Sequence, residues 1–241
     1  MIYTYNGAKV YYNFVNRGSS SVLVFLHGWG RDGKDFDDFA SLFEDYSILT
    51  IDFPPFGKSE FEPSRWNIFS YATMFISLCA HLNISSIDII GHSFGVRVAL
   101  IVGVLNSSLV HSCIFTSGAG LKPKRSINYR LKVLRYKTAR FLKLNAKGGS
   151  RDYQALSPEM KKLFKNIVNT HLDEYAKNIK SPTLIVWGKE DHETPLYMAK
   201  RFKKLIKNSK LIILNNGGHF AFLEYKLEFF SAVNKFLEEN K

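Results

Sequence analysis

A serine, an aspartate and a histidine can together make a nucleophile. This chain places them in that order at Ser93, Asp191 and His219. Ser93 lies in Ile89–Leu100, IIGHSFGVRVAL, where an apolar run ends, a serine stands between two glycines, and a second apolar run begins. A hydroxyl is a weak nucleophile until a base takes its proton, and an imidazole is that base only when an acid fixes its tautomer. A strand that turns sharply into a helix lifts the turn residue out of its sheet and exposes the side chain. Gly91 and Gly95, two before and two after Ser93, relieve the crowding of such a turn. The helix that follows offers unpaired N–H groups and a positive dipole end to a developing oxyanion.

Asp191 and His219 fall where this chemistry needs them. PTLIVWGKEDHETP (182–195) reads as a strand that turns through Gly188 and leaves Asp191 in a loop. LIILNNGGHFAFLE (211–224) reads as the next strand, with His219 presented after a Gly-Gly turn. Other roles are open to the same residues: a helix cap for Asp191, with Glu190 beside it, and a helix start for His219. The alternative place for the acid, the loop Ser117–Leu121, carries no carboxylate. In FLHGWGRD (25–32), His27-Gly28 makes a tight turn that presents the backbone N–H of Trp29. That N–H and the one of Phe94 are the expected oxyanion donors. His27 is expected to brace the loop rather than act as the base.

The elements that must position these groups alternate. Ile2–Tyr5 and Lys9–Phe14 read as paired strands, and Val22–Leu26 as a strand covered on both faces. Helical spacing over Asp35–Glu44, a strand at Ser47–Ile51 and a long helix over Trp66–Leu82 follow. Ser86–Ile90 is a strand, Phe94–Leu105 a helix and Val110–Thr116 a strand. Pro182–Trp187 and Lys210–Leu214 are further strands, with a helix over Pro195–Ile206 between them and a closing helix over Ala221–Leu237. Strands alternating with helices predict an α/β, doubly wound, mainly parallel sheet. Leu121–Lys180 contains no strand-like run and reads as inserted helices.

HGWG (27–30), DFPPFGKS (52–59), GHSFG (91–95), WGKED (187–191) and GGHF (217–220), in this order and spacing, resemble the α/β-hydrolase superfamily over essentially the whole chain. The resemblance implies an eight-stranded sheet, a core built from residues 1–120 and 181–241, and a helical lid over 121–180. It also implies that neither a metal nor an organic cofactor is needed. One stretch departs: relatives usually show D-x-P-G-x-G-x-S, and here Pro55 replaces the first glycine. Proline cannot take a positive φ, so the loop after Asp52 is expected to turn differently. A serine nucleophile argues against the relatives that use aspartate, the haloalkane dehalogenases and epoxide hydrolases.

The leading expectation is a serine hydrolase that cleaves a carboxylic ester or thioester through an acyl-enzyme on Ser93. The alternatives are a carbon–carbon bond hydrolase using the same triad and a non-catalytic binding protein on the same fold. The intact triad argues against the last.

Bulk properties narrow the setting. With 241 residues and 46% apolar content the chain can bury a sizeable core. Cys79 and Cys113 read as buried small hydrophobes. The first residues alternate like a strand rather than a signal peptide, and no run is long enough to span a membrane. A cytoplasmic protein without membrane attachment is therefore expected. The net charge of +12 is concentrated: Leu121–Arg151 holds eleven Lys or Arg and no acid, while the remainder carries 22 basic and 21 acidic residues. No nucleic-acid recognition motif accompanies it. Over Ile127–Leu144, apolar Ile127, Leu131, Leu134, Phe141 and Leu142 approximate one face and Arg130, Lys132, Arg135, Lys137, Arg140 and Lys143 occupy much of the rest. That face is the solvated outside of a lid helix, an attractor for an anionic substrate or an acidic carrier protein, or, as a third option, a surface that lies on an anionic membrane.

Overall fold

The computed structural model describes residues 1–61, 65–124, 153–154 and 156–241. The strands are β1 Ile2–Tyr5, β2 Ala8–Val15, β3 Val22–Leu26, β4 Ser47–Ile51, β5 Ile87–His92, β6 Val110–Thr116, β7 Thr183–Gly188 and β8 Ser209–Leu214. They form one eight-stranded sheet in the order β1-β2-β4-β3-β5-β6-β7-β8. The β1–β2 and β2–β4 pairs are antiparallel, and all later pairs are parallel. This is the mainly parallel, doubly wound sheet that the alternation of runs predicts.

The described helices are α1 Asp37–Ala40, α2 Ile68–His81, α3 Phe94–Leu105, α4 Pro158–Asn169, α5 Asp173–Asn178, α6 Tyr197–Leu205, α7 Ala221–Glu224 and α8 Lys226–Glu238. Helices cover both faces because successive strand side chains point to opposite sides. Val24, Ile89, Cys113 and Ile185 face a core shared with α2, α3 and α6. Phe25, Ile90, Ile114 and Val186 face a second core, where Phe36, Phe39, Phe43, Phe222, Phe229 and Phe236 pack together. The ring centroids of Phe25–Phe36, Phe36–Phe222 and Phe39–Phe229 lie 5.2, 5.0 and 5.0 Å apart.

Local sequence sets the helix starts. Asn67 caps α2 in a capping box with Ser70. Ser157 caps α4, with Pro158 at the first helical position. Met160, Leu163 and Ile167 give α4 one buried stripe. α4 and α5 stand between β6 and β7, within the insertion expected at 121–180. The basic stretch Ile127–Leu144 lies outside the described residues.

Two expected helices differ. The spacing over 35–44 yields a 3-10 turn at Gly33–Phe36 and only four residues of α1. The apolar positions 36, 39, 40 and 43 stay buried because the bonds Leu42 N–H to Phe39 O and Phe43 N–H to Ala40 O continue the winding as tight turns. The closing helix divides at Tyr225, between α7 and α8. The Glu224 carboxylate accepts the Gly218 N–H at 2.7 Å and ties α7 to the loop that carries His219.

Candidate active site

The parallel register brings the carboxyl ends of the strands into line: Leu26 opposite Gly91, His92 opposite Thr116, and Gly188 opposite Leu214. Loops leaving this edge carry Trp29, Ser93, Asp191 and His219, and Phe94 opens α3 there. Ser93 follows β5 directly and takes φ 48°, ψ −103°, a conformation that non-glycine residues adopt only at a cost of about 1–3 kcal/mol. Its neighbours hold it there. The Ser93 N–H donates to Thr116 O at 3.2 Å, and its carbonyl accepts from Val96 N–H at 3.2 Å and Ala119 N–H at 3.1 Å. Gly95 lets α3 lie against β3, since a methyl group there would fall on the Leu26 carbonyl oxygen.

His219 comes from the loop after β8 and is held by Asp191 from the loop after β7. Its Nδ1 donates to the Asp191 carboxylate, with Oδ1 at 3.1 Å and Oδ2 at 3.0 Å. Asp191 also accepts the N–H groups of Glu193 and Thr194 at 2.9 and 2.8 Å. The carboxylate therefore closes a turn of its own loop and meets the histidine at once, while α6 begins only at Tyr197. The Thr194 hydroxyl lies 2.8 Å from Asp191 Oδ2 and 3.0 Å from Ser117 O. Burial pushes the Asp191 pKa up, but the bonds from His219 and Thr194 outweigh it and leave the carboxyl below its usual range. Glu190 is exposed.

Ser93 and His219 line one cavity of about 650 Å³. Among the described residues no hydrogen bond joins the two side chains. His219 Nε2 lies 3.4 Å from the Glu193 carboxylate. Trp29, Phe56, Phe94 and Phe164 make the cavity largely aromatic, and Trp29 meets Phe56 and Phe164 edge-on at 4.9 and 5.2 Å. Trp29 and Phe94 flank Ser93 in this lining, and among the described residues neither backbone N–H donates to an acceptor in the protein.

Two buried histidines support the loops. His27 Nδ1 donates to Gly28 O and its Nε2 accepts the Phe53 N–H, both at 2.7 Å. Burial lowers its pKa, so it stays neutral and fully engaged. His92 Nε2 donates to the backbone carbonyl of His219 at 3.0 Å, joining the nucleophile strand to the histidine loop. Burial, with His219 nearby, pushes its pKa down to about 3. The loop after β4 turns through a cis Pro54–Pro55 peptide, with Gly57 at φ 58°. The Asp52 carboxylate secures it by accepting from Gly33 and Lys58 N–H, both at 2.8 Å. This places Phe56 in the cavity wall.

Thr194, Glu193, His92 and Arg97 are site residues that the motifs do not reveal. The signal for Thr194 is its position three after Asp191, the spacing of a cap and its donor. A second serine–histidine–aspartate group lies near the amino ends of β5 and β6. There Asp88 Oδ1 accepts from Ser112 Oγ at 2.6 Å and from His111 Nδ1 at 2.9 Å. Both partners bond the acid, so no base stands between serine and carboxylate. Burial raises both thiols, Cys79 to about 12, which leaves neither cysteine nucleophilic at neutral pH. Among the described residues no group of three or more His, Cys, Asp or Glu is placed to hold a metal.

The match to the model of the alpha/beta hydrolase family spans residues 23–232, and the chain belongs to that family. It is 27% identical to the uncharacterized hydrolase YugF of Bacillus subtilis (strain 168), over 90% of each chain. It is 26% identical to 2-hydroxy-6-oxononadienedioate/2-hydroxy-6-oxononatrienedioate hydrolase 2 of Pseudomonas putida, over 95% of this chain and 92% of that one. Its fold matches the crystal structure of MGS-M2, an alpha/beta hydrolase enzyme from a Medee basin deep-sea metagenome library. That match has a TM-score of 0.80 and 20% identity over 100% of this chain and 98% of the other.

Proposed function

We propose that this hydrolase cleaves a carboxylic ester or thioester through an acyl-enzyme on Ser93. The observation that carries the reading is the His219–Asp191 pair, bonded at 3.0 and 3.1 Å, in the same cavity as the strained Ser93. His219 Nε2 takes the Ser93 hydroxyl proton as Oγ bonds to the acyl carbon. The carbonyl electron pair moves to oxygen, where the Trp29 and Phe94 N–H groups hold it. The carbonyl then re-forms, the bond to the alcohol or thiol breaks, and the leaving group takes the proton from His219. Water repeats the sequence: it gives a proton to His219, attacks the acyl carbon and returns Ser93 with its proton. Asp191 keeps the Nδ1–H tautomer throughout and stabilises the imidazolium. In this reading residues 121–180 act as a lid over the core, and α4 supplies Phe164 and Ile167 to the cavity wall.

Turnover of p-nitrophenyl esters of increasing chain length, with fluorophosphonate labelling, tests the reading. Hydrolysis and labelling that both vanish in Ser93→Ala are expected; labelling that persists in that variant overturns the nucleophile. A second reading, cleavage of a carbon–carbon bond beside a ketone, draws on the Pseudomonas putida relative, whose name specifies a 2-hydroxy-6-oxo dioate. Turnover of such substrates, with the esters left intact, would favour it.

A further inference from the structure

Arg97 is the only charged residue of α3, one helical turn beyond Ser93. It is only 7% exposed, and it lines the cavity. Its Nη1 donates to Ile167 O at 2.8 Å and Thr170 O at 2.9 Å, the carbonyls at the end of α4. These bonds set the guanidinium at the partly negative end of α4 but supply no full counter-charge. Among the described residues no carboxylate pairs with Arg97. Its pKa is pushed down by burial to about 10, which still leaves it protonated at neutral pH.

Burying a guanidinium is costly unless its donors are matched, and among the described residues only Nη1 of Arg97 has acceptors. Arg31, the other guanidinium in the cavity lining, is already held in a fork by Asp35. Nε and Nη2 of Arg97 have no acceptor among the described residues, and neither is among the fully enclosed unpaired atoms. A guanidinium presents its donors as a planar fork that matches a carboxylate.

We propose that Arg97 receives a free carboxylate of the substrate, so that the site takes the monoester of a short dicarboxylic acid. Ser93 and Arg97 are four residues apart, a helical rise of about 6 Å, which suits a short chain between the scissile carbonyl and the free carboxylate. Glu193, beside His219 in the same lining, disfavours a substrate carboxylate at that end. The inference rests on the hydrolase reading, and its test separates the two.

Mono-p-nitrophenyl glutarate and its neutral methyl diester differ only in the free carboxylate. The wild-type protein is expected to favour the monoacid by at least tenfold in kcat/KM. Arg97→Met should lower that ratio at least tenfold, and Arg97→Lys should restore part of it. Equal turnover of both esters by the wild type, or an equal loss of both in Arg97→Met, overturns the proposal and leaves Arg97 as an anchor for α4. The wild-type ratio stands by itself should the variants not fold. Turnover of neither ester is a failure of the hydrolase reading alone. Calorimetric binding of methyl hydrogen glutarate to the wild type then decides: binding that is lost with neutral dimethyl glutarate supports the carboxylate site, and no binding overturns it.

Discussion

Ser93 is held in its positive-φ turn by three backbone bonds and by the glycines around it, so its side chain can be changed without releasing the turn. Ser93→Ala and His219→Ala are each expected to reduce ester turnover by about three or more orders of magnitude in a folded protein. The double variant should be little worse than either, because in the proposed mechanism the two residues act as a unit. Additive losses measured in kcat would contradict that. Asp191→Asn should reduce turnover strongly, since the amide no longer fixes the histidine tautomer, while Glu190→Gln, on an exposed side chain, should change it little. The reverse ranking would move the acid by one residue. That Ser93, Asp191 and His219 lie in loops at one sheet edge was legible because each follows an apolar run that reads as a strand. Arg97 was not, because its chemistry depends on carbonyls about seventy residues away that the local pattern VRVAL does not contain.

At the scale of elements, the junction of β3, β5 and α3 sets the precision of the site. Gly95 is the point of closest approach, and any side chain there meets the backbone carbonyl of Leu26 rather than a movable side chain. Backbone cannot give way as a rotamer can, so Gly95→Ala forces α3 outward. Overpacking of this kind typically costs about 1–3 kcal/mol and occasionally more. A lowered urea midpoint with turnover reduced beyond what the stability loss explains is the expected result. An unchanged midpoint would show that the two elements are not in close contact. The strands were readable because two-faced burial writes continuous apolar runs such as VLVFL. The ends of helices were less so. Phenylalanines at 36, 39 and 43 suit a helix and a series of tight turns equally, and the pattern of residues 221–237 does not show that Glu224 anchors the first turn to Gly218.

The whole molecule carries its support histidines buried and neutral, and this makes its stability depend on pH. His92 has a pKa near 3 in the folded protein against an ordinary value of 6.5, and burial lowers that of His27 as well. Between these limits the unfolded chain binds protons that the native state refuses. The contribution of His92 is therefore complete above about pH 6.5 and is lost as pH falls toward 3, at about 1.4 kcal/mol per pH unit, and His27 acts in the same direction. Asp191 acts in the same direction at lower pH. Its folded pKa lies below 3.8, so its contribution is present above that value and disappears as pH falls through the folded one. Urea midpoints measured from pH 7 to pH 4 should fall steadily, and His92→Gln should flatten the slope while keeping a donor for the His219 carbonyl. Glutamine does not titrate, so a variant that is less stable at pH 7 should lose less on acidification than the wild type. An identical slope in the two proteins would show that His92 takes up its proton without unfolding the loop it supports. The contact between His92 Nε2 and the His219 carbonyl would then be no barrier to protonation at the ring's other nitrogen, which is buried and unpaired.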